Sequence, residues 1–182
     1  MDNQPTFEGF PKMARLSRGI TVTEKIDGTN GQIYIAEDGG FHVGSRNRWI
    51  TPEDDNYGFA AWAYYNREEL AAVLGYGRHF GEWWGAGIQR RYGQTEKHFS
   101  LFNTARWDDE NKPSCCLVVP VLYRGPFDQG AIDFVINELD ENGSVAANGF
   151  MQPEGIVIYH EAARMTFKKT IKDDHQPKGM AA

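Results

Sequence analysis

Residues 19–35 read GITVTEKIDGTNGQIYI, and the architecture follows from that stretch. Gly19–Glu24 and Gly31–Ile35 are rich in β-branched and alternating residues, so they read as strands flanking a turn at Asp27-Gly28-Thr29-Asn30. Outward from there, Gly40–Ser45 follows an Asp38-Gly39-Gly40 turn and forms a hairpin with the strand before it. Ala60–Leu74 carries Ala61, Tyr64, Tyr65, Glu68 and Ala72 at helical spacing, and Gly75 ends it. His79–Trp84, Phe99–Phe102 and Cys115–Tyr123 read as further strands. A second helix spans Asp128–Leu139, with Asp128 as N-cap and Asn142-Gly143 as the stop. Gly155–His160 and Arg164–Thr170 make a last strand pair, and the polar tail from Asp173 is expected to fray. The predicted fold class is α+β, with mostly antiparallel sheets and a few helices. No strand–helix alternation supports a doubly wound sheet. No repeat and no linker is visible, so residues 1–182 read as a single domain.

Composition sets the outer bounds. The chain has 182 residues, 41 % of them hydrophobic and 13 % aromatic, which is ample for a packed core and excludes disorder as the main state. No apolar run approaches the roughly 20 residues of a membrane helix, and the N-terminus lacks a secretory apolar region. A soluble cytoplasmic protein, monomeric by default and with no membrane partner, is the expectation. The net charge of −6 argues against charge-driven binding along duplex nucleic acid but permits a local basic groove. Cys115 and Cys116 are adjacent, with no second pair to build a disulfide framework or a zinc site, and read as small hydrophobes.

The chemistry concentrates in Glu24-Lys25-Ile26-Asp27-Gly28-Thr29-Asn30. A lysine between carboxylates is ordinarily a solvated ion pair. Here it is followed, in order, by Ser45-Arg46-Asn47-Arg48, Phe80-Gly81-Glu82-Trp83-Trp84-Gly85, Phe99-Ser100-Leu101-Phe102, Glu154-Gly155-Ile156-Val157 and Phe167-Lys168-Lys169. In this order and spacing the set resembles the covalent nucleotidyltransferases: the ATP-dependent RNA and DNA ligases and the mRNA capping enzymes. The wording E-K-I-D-G-T-N, S-R-N-R, G-E-W-W-G and E-G-I-V-I is most similar to RNA ligases of the phage type 2 kind. The resemblance runs from about Gly19 to Lys172.

That resemblance implies a nucleotidyltransferase domain of the ATP-grasp-like ligase type; the short stretch after Lys172 is expected to leave no room for the C-terminal domain that such ligases commonly append. It also implies a sequence of reactions. Lys25 attacks the α-phosphate of ATP, expels pyrophosphate and becomes lysyl-AMP; AMP then passes to a 5′-phosphate end, which a 3′-hydroxyl attacks. Lysine attacks phosphorus only as a neutral amine, so a site of this kind must disfavour the ammonium. RNA or DNA ends are the implied partners, and ATP with Mg²⁺ or Mn²⁺ the implied cofactors. By the same resemblance Asp27 shapes the turn and Asn30 lies near the ribose or metal. Glu24 lies beside the adenine pocket, Arg46 brings positive charge to ribose or phosphate, and Glu82 accepts from the ribose hydroxyls. Phe102 stacks on the adenine, where the usual F-D-I reads Phe102-Asn103-Thr104. Glu154 serves the metal, a role one carboxylate can fill beside waters and phosphates. Lys168 holds the α-phosphate. The usual K-x-K reads Lys168-Lys169-Thr170, so the second lysine's role falls to Lys169, to Lys172 or to neither.

Read from the residues alone, Phe99 and Phe102 are equally core aromatics, Glu82 a buried ion-pair partner and Glu24 a solvent-facing strand carboxylate. Arg48 reads as a surface residue, and at least one of Trp83 and Trp84 as core. His42, His79, His98, His160 and His175 lack metal-ligand spacing, and Gly85-Ala86-Gly87 precedes no helix and is not a dinucleotide loop. Gln89-Arg90-Arg91-Tyr92 reads as a solvated loop or as a basic-aromatic patch for phosphates or bases. Two rival functions remain open at this level: a small ATP-dependent DNA ligase, and a nucleotide-binding module that does not seal.

Overall fold

The computed structural model describes residues 5–174; His175 and the rest of the polar tail lie outside them. Ten strands and three helices lie among the described residues. The smaller sheet has the order β10-β9-β1-β8, from β1 (Gly19–Lys25), β8 (Val121–Pro126), β9 (Gly155–His160) and β10 (Met165–Thr170), all antiparallel. The larger sheet has the order β4-β3-β2-β5-β6-β7, from β2 (Thr29–Ile35), β3 (Phe41–Gly44), β4 (Trp49–Ile50), β5 (Gly77–Gly85), β6 (Lys97–Leu101) and β7 (Leu117–Val118). Its pairs are antiparallel except β6 with β7. The α+β expectation holds, and β2 and β3 form the anticipated hairpin.

The strands on either side of the Asp27 turn do not pair with each other. β1 belongs to one sheet and β2 to the other, with Ile26–Gly28 crossing between them. A second crossing replaces the single strand expected over Cys115–Tyr123. Val119 N–H donates to the Leu101 carbonyl in the larger sheet, whereas the Pro120 carbonyl accepts from Glu24 N–H in the smaller one. Proline has no N–H to continue the first ladder, so the chain changes sheets there.

Alternation sorts the larger sheet into two faces. Ile33, Ile35, Phe41, Val43, Trp83, Phe99 and Leu101 point one way and pack with α1 (Phe59–Tyr65) and α2 (Arg67–Leu74) into the main core. One helix was expected over Ala60–Leu74. It divides at Asn66 (φ −95°, ψ 13°), whose side-chain amide donates back to the Trp62 carbonyl at 2.8 Å. That local bond competes with helical continuation, the usual cost of an asparagine in mid-helix. The smaller sheet buries Ile20, Val22 and Ile156 against α3 (Gln129–Asn142). Asp128 caps α3 as expected, accepting from Ala131 N–H at 3.1 Å, and Gly143 ends it at φ 86°. Both Trp83 and Trp84 are buried, and Cys116 packs in the main core.

At the start of α1 the N-cap is Gly58, which has no side chain to offer the orphan N–H groups. Asp55 supplies the acceptor instead, taking Ala60 N–H at 2.7 Å and Ala61 N–H at 2.9 Å. Asp55→Ala is expected to lower stability by about 1–2 kcal/mol, read as a lower urea midpoint with an unchanged slope; an unchanged midpoint would show that Asp55 does not cap this helix.

A candidate nucleotidyl-transfer site where the two sheets meet

Lys25 is the last residue of β1, and its ammonium meets Glu154 Oε2 at 2.5 Å. Glu154 precedes β9 and is buried, and the backbone brings the two together because Lys25 pairs with Gly155 in the β1–β9 register. A side chain at 155 would collide with the Lys169 carbonyl and sit 2.7 Å from Thr170 Cα, and the residue has φ 153°. Glycine is therefore required at that position.

The turn after Lys25 is held from the other sheet. Glu82, on β5, accepts from Gly28 N–H through Oε1 and from the Asn30 amide through Oε2, both at 3.0 Å. Asn30 and Glu82 are register partners across β2 and β5. Gly28 is needed for close approach, since a Cβ there would press on the Trp83 carbonyl and lie 2.8 Å from Trp84 Cβ. Burial raises the Glu82 carboxyl to about 7, partly offset by the positive charge of Lys25 and the Gly28 hydrogen bond. Asp27 is fixed by Arg90, whose Nε donates to Oδ2 at 2.9 Å, and its own N–H donates to the Tyr92 hydroxyl at 2.9 Å. Arg90 also donates to the Gln152 and Pro153 carbonyls, just ahead of Glu154. One guanidinium thus ties the turn after the lysine to the segment carrying its partner.

Gln89–Tyr92 is accordingly neither a solvated loop nor a free basic patch. Arg90 is engaged in the ion pair with Asp27, and Tyr92 is buried against Trp84 and Phe150, with ring centroids at 5.3 and 4.5 Å. Gln89, Arg91 and Tyr92 have φ of 44°, 60° and 50°. Three non-glycine residues in the left-handed region cost energy that these anchors offset. The basic-aromatic spelling was visible in sequence, but its inward orientation depends on partners more than 60 positions away.

The other expected residues divide by strand face. Lys168 lies on the same face of the smaller sheet as Lys25, two strands across, because it pairs with Val157 and Val157 with Thr23. Lys169 falls on the opposite face and donates to Asp133 of α3 at 2.6 Å. Lys169 is therefore not brought to Lys25, since one residue of strand offset reverses the face. Glu24 likewise alternates away from Lys25. It is 1 % exposed, not solvent-facing, and its carboxylate accepts from Ser144 Oγ at 2.5 Å and from Val145 and Ala146 N–H at 2.9 and 2.8 Å. Burial raises its carboxyl against the lowering effect of those bonds. The placement makes Glu24 the anchor of the 144–147 loop; nothing in the local sequence of Ser144 signals this.

Phe99 is fully buried, whereas Phe102, just past β6, is 40 % exposed. Phe102 continues the Ser100 face, and Ser100 pairs with Glu82, so the aromatic lies on the site's side of the sheet. Arg46 is exposed at the tip of the β3–β4 turn, closed by Ser45 N–H to the Arg48 carbonyl at 2.9 Å. The register that pairs Gln32 with Gly44 carries this turn toward the Asn30 end of the sheet. Arg48 pairs with Asp54 at the surface.

Two mostly antiparallel sheets meeting at a strand-end lysine, with buried carboxylates contributed from both sides, make a nucleotidyltransferase-type fold. The chain belongs to the RNA ligase family, whose model matches residues 18–172. No curated protein matches it. Among solved structures it is similar to the Naegleria gruberi RNA ligase with PPi, at 20 % identity and TM-score 0.63, over 92 % of this chain and 57 % of that one. It is also similar to a lysine-to-methionine mutant of that ligase with AMP and Mn, at 19 % identity and TM-score 0.62, over 85 % and 50 %. A lysine-to-alanine mutant with ATP and Mn gives 19 % identity and TM-score 0.61, over 92 % and 57 %. The chain thus spans about half the length of these ligases. No helix among the described residues is long and apolar enough to cross a membrane.

Glu82 provides a pH test of the site's construction. Between pH 4.5 and 7 the folded chain holds a proton on Glu82 that the unfolded chain has lost. Its contribution to stability therefore falls as pH rises through that window and levels off above it. A shift from 4.5 to about 7 corresponds to on the order of 3 kcal/mol. Glu82→Gln should flatten this fall in urea titrations across the window; an unchanged slope would mean that Glu82 titrates normally.

Proposed function

We propose that this chain is the nucleotidyltransferase domain of an ATP-dependent RNA ligase that carries AMP on Lys25. The observation that carries the reading is the Lys25–Glu154 pair at 2.5 Å, gathered at the sheet junction with Glu82 and Asn30. A surface lysine needs no such enclosure; Lys25 is 20 % exposed and its partner 4 %.

Lys25 attacks the α-phosphorus of ATP as the free amine. Its ammonium gives up a proton, the N–P bond forms, the P–O bond to pyrophosphate breaks, and pyrophosphate leaves. Positive charge brought beside the ammonium favours loss of its proton. Lys168, on the same sheet face, supplies charge to the α-phosphate as the transition state develops. Arg46 reaches ribose or phosphate from the exposed turn, and Phe102 stacks on the adenine. Glu82 and Asn30 hold the turn in place, and the unused lone pairs of Glu82 face the ribose hydroxyls. Asp27 acts through Arg90, keeping Lys25 and Glu154 in register. AMP then passes from Lys25 to a 5′-phosphorylated RNA end, and a 3′-hydroxyl displaces it to form the phosphodiester.

The donor set suits a divalent ion bound largely through substrate. Glu154 brings a hard carboxylate, and among the described residues no cluster of three or more His, Cys, Asp or Glu could hold a metal unaided. Mg²⁺ or Mn²⁺ on Glu154, waters and phosphates would supply positive charge against the triphosphate. Solved RNA ligase neighbours are described with ATP and Mn and with AMP and Mn, which supports the pairing.

Intact mass of the purified protein, before and after ATP with magnesium, tests the reading. The wild type should gain one AMP and lose it again with pyrophosphate; Lys25→Ala should gain none. Lys168→Ala should slow AMP attachment at least tenfold, whereas Lys169→Ala should leave it near the wild-type rate. Loss with Lys169→Ala alone would reassign the lysine. Phe102→Ala should weaken ATP binding roughly tenfold, as loss of a base–aromatic stack does, with little change in melting temperature. Unfolding with normal affinity per folded molecule would make Phe102 a packing residue instead. Nicked and single-stranded RNA and DNA substrates then separate RNA from DNA sealing.

A further inference from the structure

The face of the larger sheet that carries Glu82 does not end at the nucleotide site. Two positions along β5 from Glu82 stands Phe80, and two further stands Arg78, about 14 Å away at a strand rise of ~3.4 Å per residue. Phe80 is 51 % exposed, and its carbonyl accepts from Phe102 N–H at 3.0 Å, so the two exposed aromatics are on adjoining strand positions. Beside them the Arg78 guanidinium lies over the Tyr34 ring at 4.6 Å and the Trp49 ring at 5.3 Å. Tyr34 in turn stacks on His42, with centroids 6.0 Å apart and planes within 23°. Arg78 also donates to Gln32 at 2.9 Å, which fixes its plane. Arg78 has no carboxylate partner among the described residues, although the chain as a whole is acidic.

We infer that Phe80, Arg78, Tyr34 and Trp49 form a stacking platform for single-stranded RNA leading away from the site at Lys25. Flat aromatic faces interleaved with an unneutralised guanidinium are what a base-and-phosphate chain requires, and every base has a π face to offer. Charge complementarity favours a polyanion, and the platform is continuous with the proposed adenine-stacking residue along one sheet face. Bases stack on Trp49, 48 % exposed, and on Phe80, while Arg78 faces a phosphate or caps a base. The inference deepens the ligase reading and rests on it for the direction in which the strand runs.

The test uses the whole chain and 5′-phosphorylated single-stranded RNA of twelve mixed nucleotides, with affinity followed by fluorescence anisotropy. Trp49→Ala and Arg78→Ala should each weaken binding roughly tenfold while AMP attachment to Lys25 proceeds at the wild-type rate. Phe80→Ser is the third variant, should either of the others melt early. Wild-type RNA affinity in folded variants overturns the platform while leaving the ligase reading intact. A wild-type chain that takes up no AMP overturns the ligase reading; an affinity loss at Trp49 and Arg78 would still support an RNA platform. If light scattering shows a dimer that Trp49→Ala dissociates, with RNA affinity unchanged, the face joins two copies of the chain and the inference falls.

Discussion

Lys25 closes one sheet and Thr29 opens the other, and only three residues lie between them. That short crossing constrains everything around it. Three residues cannot form a loop with its own packing, so the turn must be fastened by groups from elsewhere. Gly28 N–H is taken by Glu82, Asp27 N–H by Tyr92 and the Asp27 carboxylate by Arg90. Because the chain passes so close to β5, position 28 has room only for a hydrogen. A lysine placed at this crossing is held between the two sheets, and groups from either can reach the same small volume. Precise placement of a reacting atom is worth several kcal/mol of barrier in general, and on the proposed reading of Lys25 it comes from backbone connectivity.

Three buried glutamates surround this crossing, and each is satisfied differently. Glu154 faces an ammonium, Glu82 a backbone N–H and an amide, and Glu24 a hydroxyl and two backbone N–H groups. Burial of an unpartnered carboxylate is prohibitively costly, so each partner set amounts to a constraint on the chain that supplies it. Glu24 fixes the loop after α3, Glu82 fixes the turn, and Glu154 fixes the lysine. The raised carboxyls of Glu82 and Glu24 follow from burial outweighing these donors. The Lys25–Glu154 pair differs from the other two in joining side chains of opposite charge.

The strand content, the β2–β3 hairpin and the cap of α3 were legible in the sequence because each is a local property of spacing and turn chemistry. So was the family, through the resemblance of six short motifs. What escaped was decided at a distance. The division of β1 and β2 between sheets depends on pairing with β5, β8 and β9, and no local pattern encodes it. The break at Asn66 and the switch at Pro120 were spelled out by residues that disfavour continuation, yet the surrounding apolar pattern masked them. The faces taken by Lys169 and Glu24 escaped for a shared reason: adjacent residues on a strand face opposite ways, and a motif specifies position along the chain more firmly than face. The roles of Ser144, Arg90 and Tyr92 rest on contacts across 120, 63 and 65 positions.

The net charge of −6 sits oddly with the proposed polyanionic substrate until the charges are assigned to places. The carboxylates nearest the crossing are engaged, by Lys25, by Arg90 or by backbone donors, and so present less free negative charge than their number suggests. Lys168 and Arg46 are exposed, and Arg78 stands on the same open sheet face as Phe80 without an opposing acid among the described residues. Local field, not total charge, governs what a cleft admits, since charges beyond about 8 Å are screened at physiological ionic strength. An acidic chain with a few uncompensated cations set among flat aromatic rings resists indiscriminate attachment along a duplex, where affinity grows with the number of phosphates neutralised. On the proposed platform it would retain grip on an unpaired strand whose bases can lie against those rings. Selectivity for ends over continuous duplex would then arise from the same economy of positive charge that the composition displays.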